Sequence, residues 1–127
     1  MAIENLNNLI EETNAEVVIS STWRLGNSLF YLKHLFAEAG FIGNVIGLTP
    51  KIYVNHEFPN VPRGYEIQAY LKCNYDCCED VRYIIFDDDS DMLYNQRHNY
   101  IQIDGAFGLS HNHCYRAKNK LNHINFF

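Results

Sequence analysis

Residues 83–91 read Y-I-I-F-D-D-D-S-D, so a short apolar segment with strand character runs directly into a cluster of aspartates. Carboxylates packed at the end of a buried strand are unfavourable unless a cation holds them. A divalent cation that prefers oxygen ligands is the usual partner of such a cluster. An acidic turn in a solvated loop would have the same sequence, so the rest of the chain has to decide between the two interpretations.

A second polar cluster follows another apolar run, in the string V-V-I-S-S-T-W-R at residues 17–24. The β-branched residues at 16–20 predict a strand that is buried on both faces. Ser20 and Ser21 can donate hydrogen bonds to phosphate oxygens, and Arg24 can pair with them bidentately. Helix capping by the serines and a salt bridge from Arg24 are the structural alternatives.

The order of the predicted elements favours an α/β fold. Apolar residues at helical spacing predict helices over residues 3–13, 26–39, 63–72 and 109 to about 122. Short apolar runs predict strands over residues 16–20, 41–48, 81–86 and 100–103, and residues 51–62 read as an irregular surface loop. Strands separated by helices predict a parallel sheet with helices on both faces and a binding site at the carboxyl ends of the strands.

Length and composition limit what the chain can do. A chain of 127 residues with 47% hydrophobic content predicts one domain, residues 1–127, with a real core. The net charge of −5 argues against a large nonspecific phosphate-binding surface, although it permits a local basic pocket. The sequence also lacks a secretory signal at its start and an apolar run of membrane-spanning length, so we expect a cytoplasmic protein.

The cysteines are predicted to be reduced thiols. Cys73, Cys77 and Cys78 have the spacing C-x3-C-C, which matches no common zinc motif. Together with Cys114 and the nearby His111 and His113 they leave a zinc site as an alternative, and free thiols in the cytosol as the preferred interpretation.

Three strings together resemble successive motifs of the haloacid dehalogenase (HAD) superfamily of phosphohydrolases. They are V-V-I-S-S-T-W-R, P-R-G-Y-E-I-Q-A-Y-L and Y-I-I-F-D-D-D-S-D-M, and G-A-F-G-L-S at residues 105–110 is similar to a later family segment. The sequence is most similar to the HAD domain group of Swiss-army-knife RNA repair proteins, over roughly residues 5–110.

The resemblance implies a Rossmann-like, three-layer α/β/α fold and Mg²⁺-dependent hydrolysis of a phosphomonoester through an aspartyl-phosphate. By position, Ser20 would bind the transferring phosphoryl group, and Arg63, which opens a helix, would neutralise its charge together with Arg24. Asp87 and Asp88 would hold Mg²⁺.

The same resemblance places Asp89 or Asp91 beside those magnesium ligands as outer-shell partners, and Asp91 completes the predicted metal set. The implied substrate is a phosphorylated small molecule or a nucleic-acid terminus. No feature of the sequence indicates recognition of a nucleotide base. The tyrosines are numerous, but tyrosines in this number more often lie in the core or at the rim of a protein than stack on bases.

The nucleophile motif of the family, a strand that ends D-x-D, has no counterpart here, because no aspartate precedes Asp76. In the family this strand is central, between the strands that end at Ser20 and Asp87. We therefore expect an N-terminally truncated domain, a degenerate noncatalytic binding module, or a sheet that closes differently. In the last case the two strands would pair directly or accept a strand from another chain, and an exposed strand edge would permit a homodimer. Use of Asp87-x-Asp89 as the nucleophile motif is disfavoured, because these residues would then not be free to hold the metal.

Overall fold

The helices and strands follow one another along the chain in the order that the sequence predicts. The computed structural model describes residues 2–52, 61–75, 81–105 and 108–122. The helices are α1 (Ala2–Thr13), α2 (Leu29–Glu38), α3 (Arg63–Asn74) and α4 (His111–Asn122). The strands are β1 (Val17–Ile19), β2 (Val45–Leu48), β3 (Ile85–Asp87) and β4 (Tyr100–Gln102). Short 3₁₀ turns at Thr22–Arg24 and Tyr94–Gln96 follow β1 and β3.

Residues with left-handed backbone end the first two helices. Asn14 follows α1 with φ of 56°, and Gly40 follows α2 with φ of +97°, so both act as the stop signals that the sequence predicts. The start of α2 is later than predicted. Gly26 has φ of +85°, which a helix does not allow, and the hydroxyl of Ser28 accepts a backbone N–H of the first turn at 3.1 Å.

The other two helices begin at residues that the sequence also marks. α3 starts at Arg63, directly after Pro62, which cannot continue a preceding helix. α4 starts after Ser110, whose hydroxyl accepts the backbone N–H of His113 at 3.2 Å. The predicted helices are therefore confirmed, with boundaries that shift by a few residues.

The strands form two separate parallel pairs among the described residues, β1 with β2 and β3 with β4. Ile85 lies opposite Tyr100, and Asp87 lies opposite Gln102. Parallel pairing is confirmed, whereas direct pairing of β1 with β3 is absent from the part of the chain that the structure describes. The fold is thus a small α/β arrangement of four described helices and short parallel strand pairs, compatible with a HAD-like domain.

Two strands are shorter than their apolar runs. β2 begins only at Val45, although Phe41, at the start of the predicted strand, is buried in the core. Residues 81–84 precede β3 without regular structure, and the strand extends to Asp87. Apolar character alone does not make a strand, because the segment also needs a neighbour that takes its backbone hydrogen bonds.

The core consists of two clusters that α1 connects. One cluster contains Leu9, Ile101, Cys114 and Ala117, with Ile84, Phe86 and Leu109 packed against it. The other contains Ile19, Leu32, Phe41 and Val45, against which Ile3, Leu6 and Ile10 of α1 pack. Burial of a leucine or isoleucine side chain stabilises the fold by about 1.5–3 kcal/mol. Because α1 contributes to both clusters, it holds the two strand pairs together.

The predicted loop over residues 51–62 lies largely outside the described residues, and residues 51–52 and 61–62 have no regular structure. In the described part of the chain, every helix is too short or too polar to cross a membrane.

Candidate functional site

The first turn of α3 joins the carboxyl ends of β1 and β3. Arg63 opens this helix, and its guanidinium donates to Asp87 Oδ2 at the end of β3 over 2.8 Å. Glu66 lies three residues further along, in the same first turn, and its Oε1 accepts a hydrogen bond from the guanidinium of Arg24 at 2.8 Å. Arg24 follows β1. The three sequence strings that carry the family resemblance therefore meet at one place in the fold.

Three consecutive aspartates form the acidic part of the site. Each of Asp87, Asp88 and Asp89 offers a carboxylate oxygen, and these oxygens lie within 4.8 Å of one another. Asp87 is buried at 5% exposure, whereas Asp88 and Asp89 are exposed. Among the described residues no other cluster of metal-ligating side chains has this proximity. Carboxylate oxygens at this spacing fit Mg²⁺, which binds to one or two carboxylates and completes its shell with water and phosphate.

Asp87 already has protein partners on both of its oxygens. Oδ2 accepts from Arg63, and Oδ1 accepts the backbone N–H of Asp89 at 2.9 Å. The second bond closes a tight turn directly after β3, which brings the carboxylate of Asp89 back beside that of Asp87.

Asp91 lies at the start of α3 instead of within the aspartate cluster. Its Oδ2 accepts the backbone N–H of Arg63 at 2.9 Å, and its carbonyl accepts that of Gly64 at 3.2 Å. A carboxylate at this position satisfies first-turn N–H groups and interacts favourably with the helix dipole. Its assignment as a metal ligand stays a prediction, and Asp89 is the third member of the cluster that the structure brings together.

Arg63 is partly open to solvent. Its side chain is 18% exposed, and its contact with Asp87 offsets the unfavourable position of a cation at a helix N-terminus. The guanidinium has five N–H donors, so it can keep this ion pair and still donate to a ligand.

Arg24, in contrast, is enclosed. Its side chain is 3% exposed, and its donors contact the carbonyl oxygens of four residues in addition to Glu66. These residues are Ser20, Ser21, Thr49 and Pro50, at 2.7, 2.8, 2.9 and 3.5 Å. Glu66 in turn accepts the backbone N–H of Ile52 at 2.9 Å. These contacts favour a structural role, and phosphate binding by Arg24 stays a prediction.

Ser20 and Ser21 lie half-buried at the carboxyl end of β1. Their carbonyl oxygens are held by Arg24, which fixes the backbone of this turn. Ser21, the residue before the following 3₁₀ turn, makes no capping hydrogen bond through its side chain. Phosphate binding by the hydroxyls of Ser20 and Ser21 stays a prediction.

Tyr100, which was not among the predicted site residues, supports the acidic cluster. Its hydroxyl donates to the carbonyl oxygens of Asp87, at 3.3 Å, and Asp89. Burial raises the pKa of Tyr100, and the surrounding aspartates, first Asp87, raise it further. Gln102, which lies on the same face of β4, donates to the carbonyl of Asp88 at 3.0 Å. The alternation along β4 was the signal that could have identified this pair.

Gln96 and Gly64 join α3 to the segment after the aspartates. Gln96 is 2% exposed, donates to the carbonyl of Gly64 and accepts the N–H of Leu93, both at 2.9 Å. A Cβ on Gly64 would meet the Leu93 nitrogen at 2.6 Å, so only glycine permits this approach. Gly105 similarly lies against Asp88, whose Oδ2 would be 2.8 Å from an added Cβ.

Two of the four cysteines lie among the described residues. Cys73 is exposed and Cys114 is buried, and both are free. Burial, followed by the charge of Glu12, raises the pKa of the Cys114 thiol. His113 accepts the backbone N–H of Ser110 through Nδ1 at 3.0 Å, while Cys77 and Cys78 lie outside the described residues.

Comparison with known proteins agrees with the resemblance that the motifs suggest. The family model described as the HAD domain in Swiss Army Knife RNA repair proteins matches residues 1–114. No curated protein and no solved structure gives a significant match. Because the family model covers most of the chain and its motifs converge at the carboxyl ends of β1 and β3, the protein belongs to this family of HAD domains.

Proposed function

We propose that the chain is a HAD-like phosphohydrolase domain whose site binds a phosphomonoester together with Mg²⁺. The observation that carries the proposal is the link from α3 to both strand ends. It sets Arg63 beside the aspartate cluster at the end of β3, and it sets Glu66 beside Arg24, whose guanidinium holds the carbonyls of Ser20 and Ser21 after β1. A cation, hydroxyl donors and a cluster of carboxylates are the groups that bind a phosphoryl group and stabilise its charge.

Each group has a distinct part in this proposal. The hydroxyls of Ser20 and Ser21 donate hydrogen bonds to two phosphate oxygens, and the free donors of Arg63 neutralise the charge of the phosphoryl group. Asp87, Asp88 and Asp89 would hold Mg²⁺, which when bound supplies positive charge next to the phosphate. Without that charge the exposed carboxylates of Asp88 and Asp89 repel a phosphate, so phosphate binding should depend on Mg²⁺.

We also propose that the two strand pairs belong to one parallel sheet, with helices on both of its sides. α1 packs against both pairs, which supports this arrangement. β1 and β3 each have one described partner, so each has an edge that a strand between them would pair with. In the family, that position belongs to the strand that ends in the nucleophilic aspartate.

A peptide added in trans tests the sheet and the chemistry together. The peptide carries an apolar strand that ends in D-x-D, and its control ends in N-x-N. We expect both peptides to protect the amides of Val18 and Phe86 from hydrogen exchange, and only the first to give turnover of a phosphomonoester. Protection by neither peptide would contradict the single sheet.

A noncatalytic phosphate- and metal-binding module is the second candidate. Both oxygens of Asp87 are engaged by Arg63 and Asp89, which favours a holding role for Asp87 over nucleophilic attack. We therefore expect negligible turnover of a generic phosphomonoester by the 127-residue chain with Mg²⁺. Robust turnover that Asp87→Asn abolishes would instead identify an internal nucleophile.

Calorimetry of the same chain tests the binding site itself. We expect Mg²⁺ to release heat on binding, and Asp88→Asn or Asp89→Asn to lower the affinity about tenfold or more, because each removes one charged ligand. Asp91→Asn is the matched control, since its amide oxygen can still accept the N–H of Arg63. An equal loss with Asp91→Asn would place Asp91 among the ligands, and no heat at all would indicate a structural remnant.

The remaining expectations on partners and location stay predictions. A cytoplasmic location would be tested by fractionation of cells that produce the protein. A homodimer through a strand edge would be tested by sedimentation of the purified chain over a range of concentrations.

A further inference from the structure

Strand β4 presents two polar side chains to the aspartates of the candidate site. It runs parallel to β3, so that Ile85 lies opposite Tyr100 and Asp87 lies opposite Gln102. Ile101, between the two, is fully buried in a cluster with residues of α1 and α4. Because alternate residues of a strand point to opposite faces, this burial directs Tyr100 and Gln102 to the other face of β4.

These two side chains engage the backbone carbonyl oxygens of all three aspartates in the cluster. The hydroxyl of Tyr100 donates to the carbonyl of Asp89 and contacts that of Asp87 at 3.3 Å. The side-chain amide of Gln102 donates to the carbonyl of Asp88 at 3.0 Å. The backbone of the aspartate turn is therefore held from β4, by side chains that lie two residues apart on one face of that strand.

The carboxylates of the same three residues are brought together by this arrangement. Their oxygens lie within 4.8 Å of one another, and Asp87 Oδ1 accepts the backbone N–H of Asp89 at 2.9 Å. The carboxylate of Asp88 lies against Gly105, where an added Cβ would be 2.8 Å from Oδ2. Asp88 is thus confined at both ends, at its carbonyl by Gln102 and at its carboxylate by the backbone of Gly105.

The engaged carbonyls limit the oxygen atoms that the turn offers to a cation. Ca²⁺ takes about six to eight oxygen ligands in a flexible geometry, and backbone carbonyls are often among them. Mg²⁺ needs only one or two carboxylates and keeps several of its waters, but it requires a strict geometry. A rigid turn that offers carboxylates and keeps its carbonyls bonded to β4 meets the requirements of Mg²⁺ better than those of Ca²⁺.

We propose that Tyr100 and Gln102 are positioning residues of the Mg²⁺ site and give it a preference for Mg²⁺ over Ca²⁺. They fix the aspartate turn so that its carboxylates converge and its carbonyls stay engaged. The inference rests on the proposed function, because it requires metal binding by Asp87, Asp88 and Asp89. Residues that orient metal ligands without contacting the ion typically contribute about 10- to 100-fold to metal affinity.

Calorimetric titration of the 127-residue chain with Mg²⁺ and, separately, with Ca²⁺ tests the proposal. Tyr100→Phe keeps the ring and removes the donor, so we expect Mg²⁺ affinity to fall about 10- to 100-fold. Ca²⁺ affinity should fall less or rise, because a loosened turn can offer carbonyl oxygens as ligands. Gln102→Met should act in the same direction, and since Gln102 is exposed, this variant leaves the core intact. It decides the question if Tyr100→Phe does not fold.

Tyr115→Phe is the matched control, because it removes a hydroxyl from a tyrosine that is 60% exposed on α4. Both metal affinities should be unchanged in this variant. A measurement without metal supports the assignment: the amide of Asp89, which donates to Asp87 Oδ1, should exchange its hydrogen faster in Tyr100→Phe than in Tyr115→Phe. Equal exchange rates in the two variants would contradict a role of Tyr100 in fixing the turn.

The outcomes separate this inference from the proposed function. If the variants lower only the urea concentration at which the chain unfolds and keep both metal affinities, the two residues are merely structural and the inference is wrong. If the affinities for Mg²⁺ and Ca²⁺ fall by the same factor, the proposed preference is wrong. In both cases the metal site of the proposed function stands. If the unaltered chain does not bind Mg²⁺, that metal site is itself wrong, and the inference is wrong with it.

Discussion

Among the described residues, two arginine–carboxylate pairs at α3 have the same N–O distance and different surroundings. Arg24 and Glu66 are both 3% exposed, and Arg24 also donates to backbone carbonyls from the ends of β1 and β2. Arg63 and Asp87 are 18% and 4% exposed, and no backbone carbonyl is observed as an acceptor for Arg63 among the described residues. Both pairs span 2.8 Å, so their distance does not distinguish them.

The difference lies in the donors that remain available. A guanidinium whose donors are all satisfied inside the protein fixes the backbone around it and has nothing to offer a ligand. A guanidinium that is partly open to solvent, with one carboxylate partner, can bind a phosphate while it keeps that partner. The contacts of Arg24 favour a part in the architecture of the site, and those of Arg63 are compatible with the proposed chemistry.

Removal of the enclosed arginine should destabilise the protein more than any other change considered. We expect Arg24→Gln to lower the free energy of unfolding by about 3–5 kcal/mol, because Glu66 then becomes a buried charge without a partner. Urea unfolding followed by circular dichroism measures the loss. Glu66→Gln should have a similar effect, and the double variant should cost less than the sum of the two. A loss of unfolding free energy below about 1 kcal/mol in either single variant would contradict a role of the enclosed pair in stabilising the ends of β1 and β2.

Gly64→Ala tests the contact that keeps α3 against the segment after the aspartates. The added Cβ would lie 2.6 Å from the Leu93 nitrogen and 2.5 Å from Gln96 Oε1, so the helix start has to move. We expect a loss of about 1–3 kcal/mol in unfolding free energy, typical of overpacking at a rigid contact. Phosphate affinity in the presence of Mg²⁺ should fall as well, because the displaced helix carries Arg63 away from the aspartate cluster.

Gly26→Ala provides the control for that experiment. Gly26 has φ of +85°, and nothing lies within 4 Å of its Cβ position, so the substitution strains the backbone without a clash at the site. It should destabilise the chain and leave phosphate affinity in the presence of Mg²⁺ unchanged. An equal loss of affinity in both variants would contradict a local effect of Gly64.

Much of this arrangement follows from the sequence, because helices, strands and their order depend on periodicity and on stop residues such as Asn14 and Gly40. The acidic cluster was also predictable, since consecutive aspartates after a strand are close together in any turn. The distinction between Arg24 and Arg63 was not, because it depends on which carbonyl groups surround each guanidinium in the folded chain. The roles of Tyr100 and Gln96 also depend on contacts between distant segments.

Arg63→Gln tests whether the partly exposed arginine binds phosphate. Because Arg63 is partly exposed and Asp87 keeps the N–H of Asp89, we expect only about 1–2 kcal/mol of destabilisation. Phosphate affinity in the presence of Mg²⁺ should fall at least about tenfold, since the charge that faces the phosphoryl group is lost. Calorimetry with inorganic phosphate measures the second effect. Unchanged phosphate affinity would contradict phosphate binding by Arg63 and favour Arg24 as the phosphate ligand.

Thr49→Val has the smallest expected effect and tests how completely the enclosed region is satisfied. Thr49 is 5% exposed, and its carbonyl accepts from Arg24, yet its hydroxyl has no partner among the described residues. A buried hydroxyl without a hydrogen bond destabilises the folded chain, so valine should leave the unfolding free energy unchanged or raise it by up to about 1 kcal/mol. Thr49→Ser is the control, because it keeps the hydroxyl and should not be stabilising. If valine instead weakens phosphate binding while stability is preserved, the hydroxyl of Thr49 belongs to the phosphate site together with Ser20 and Ser21.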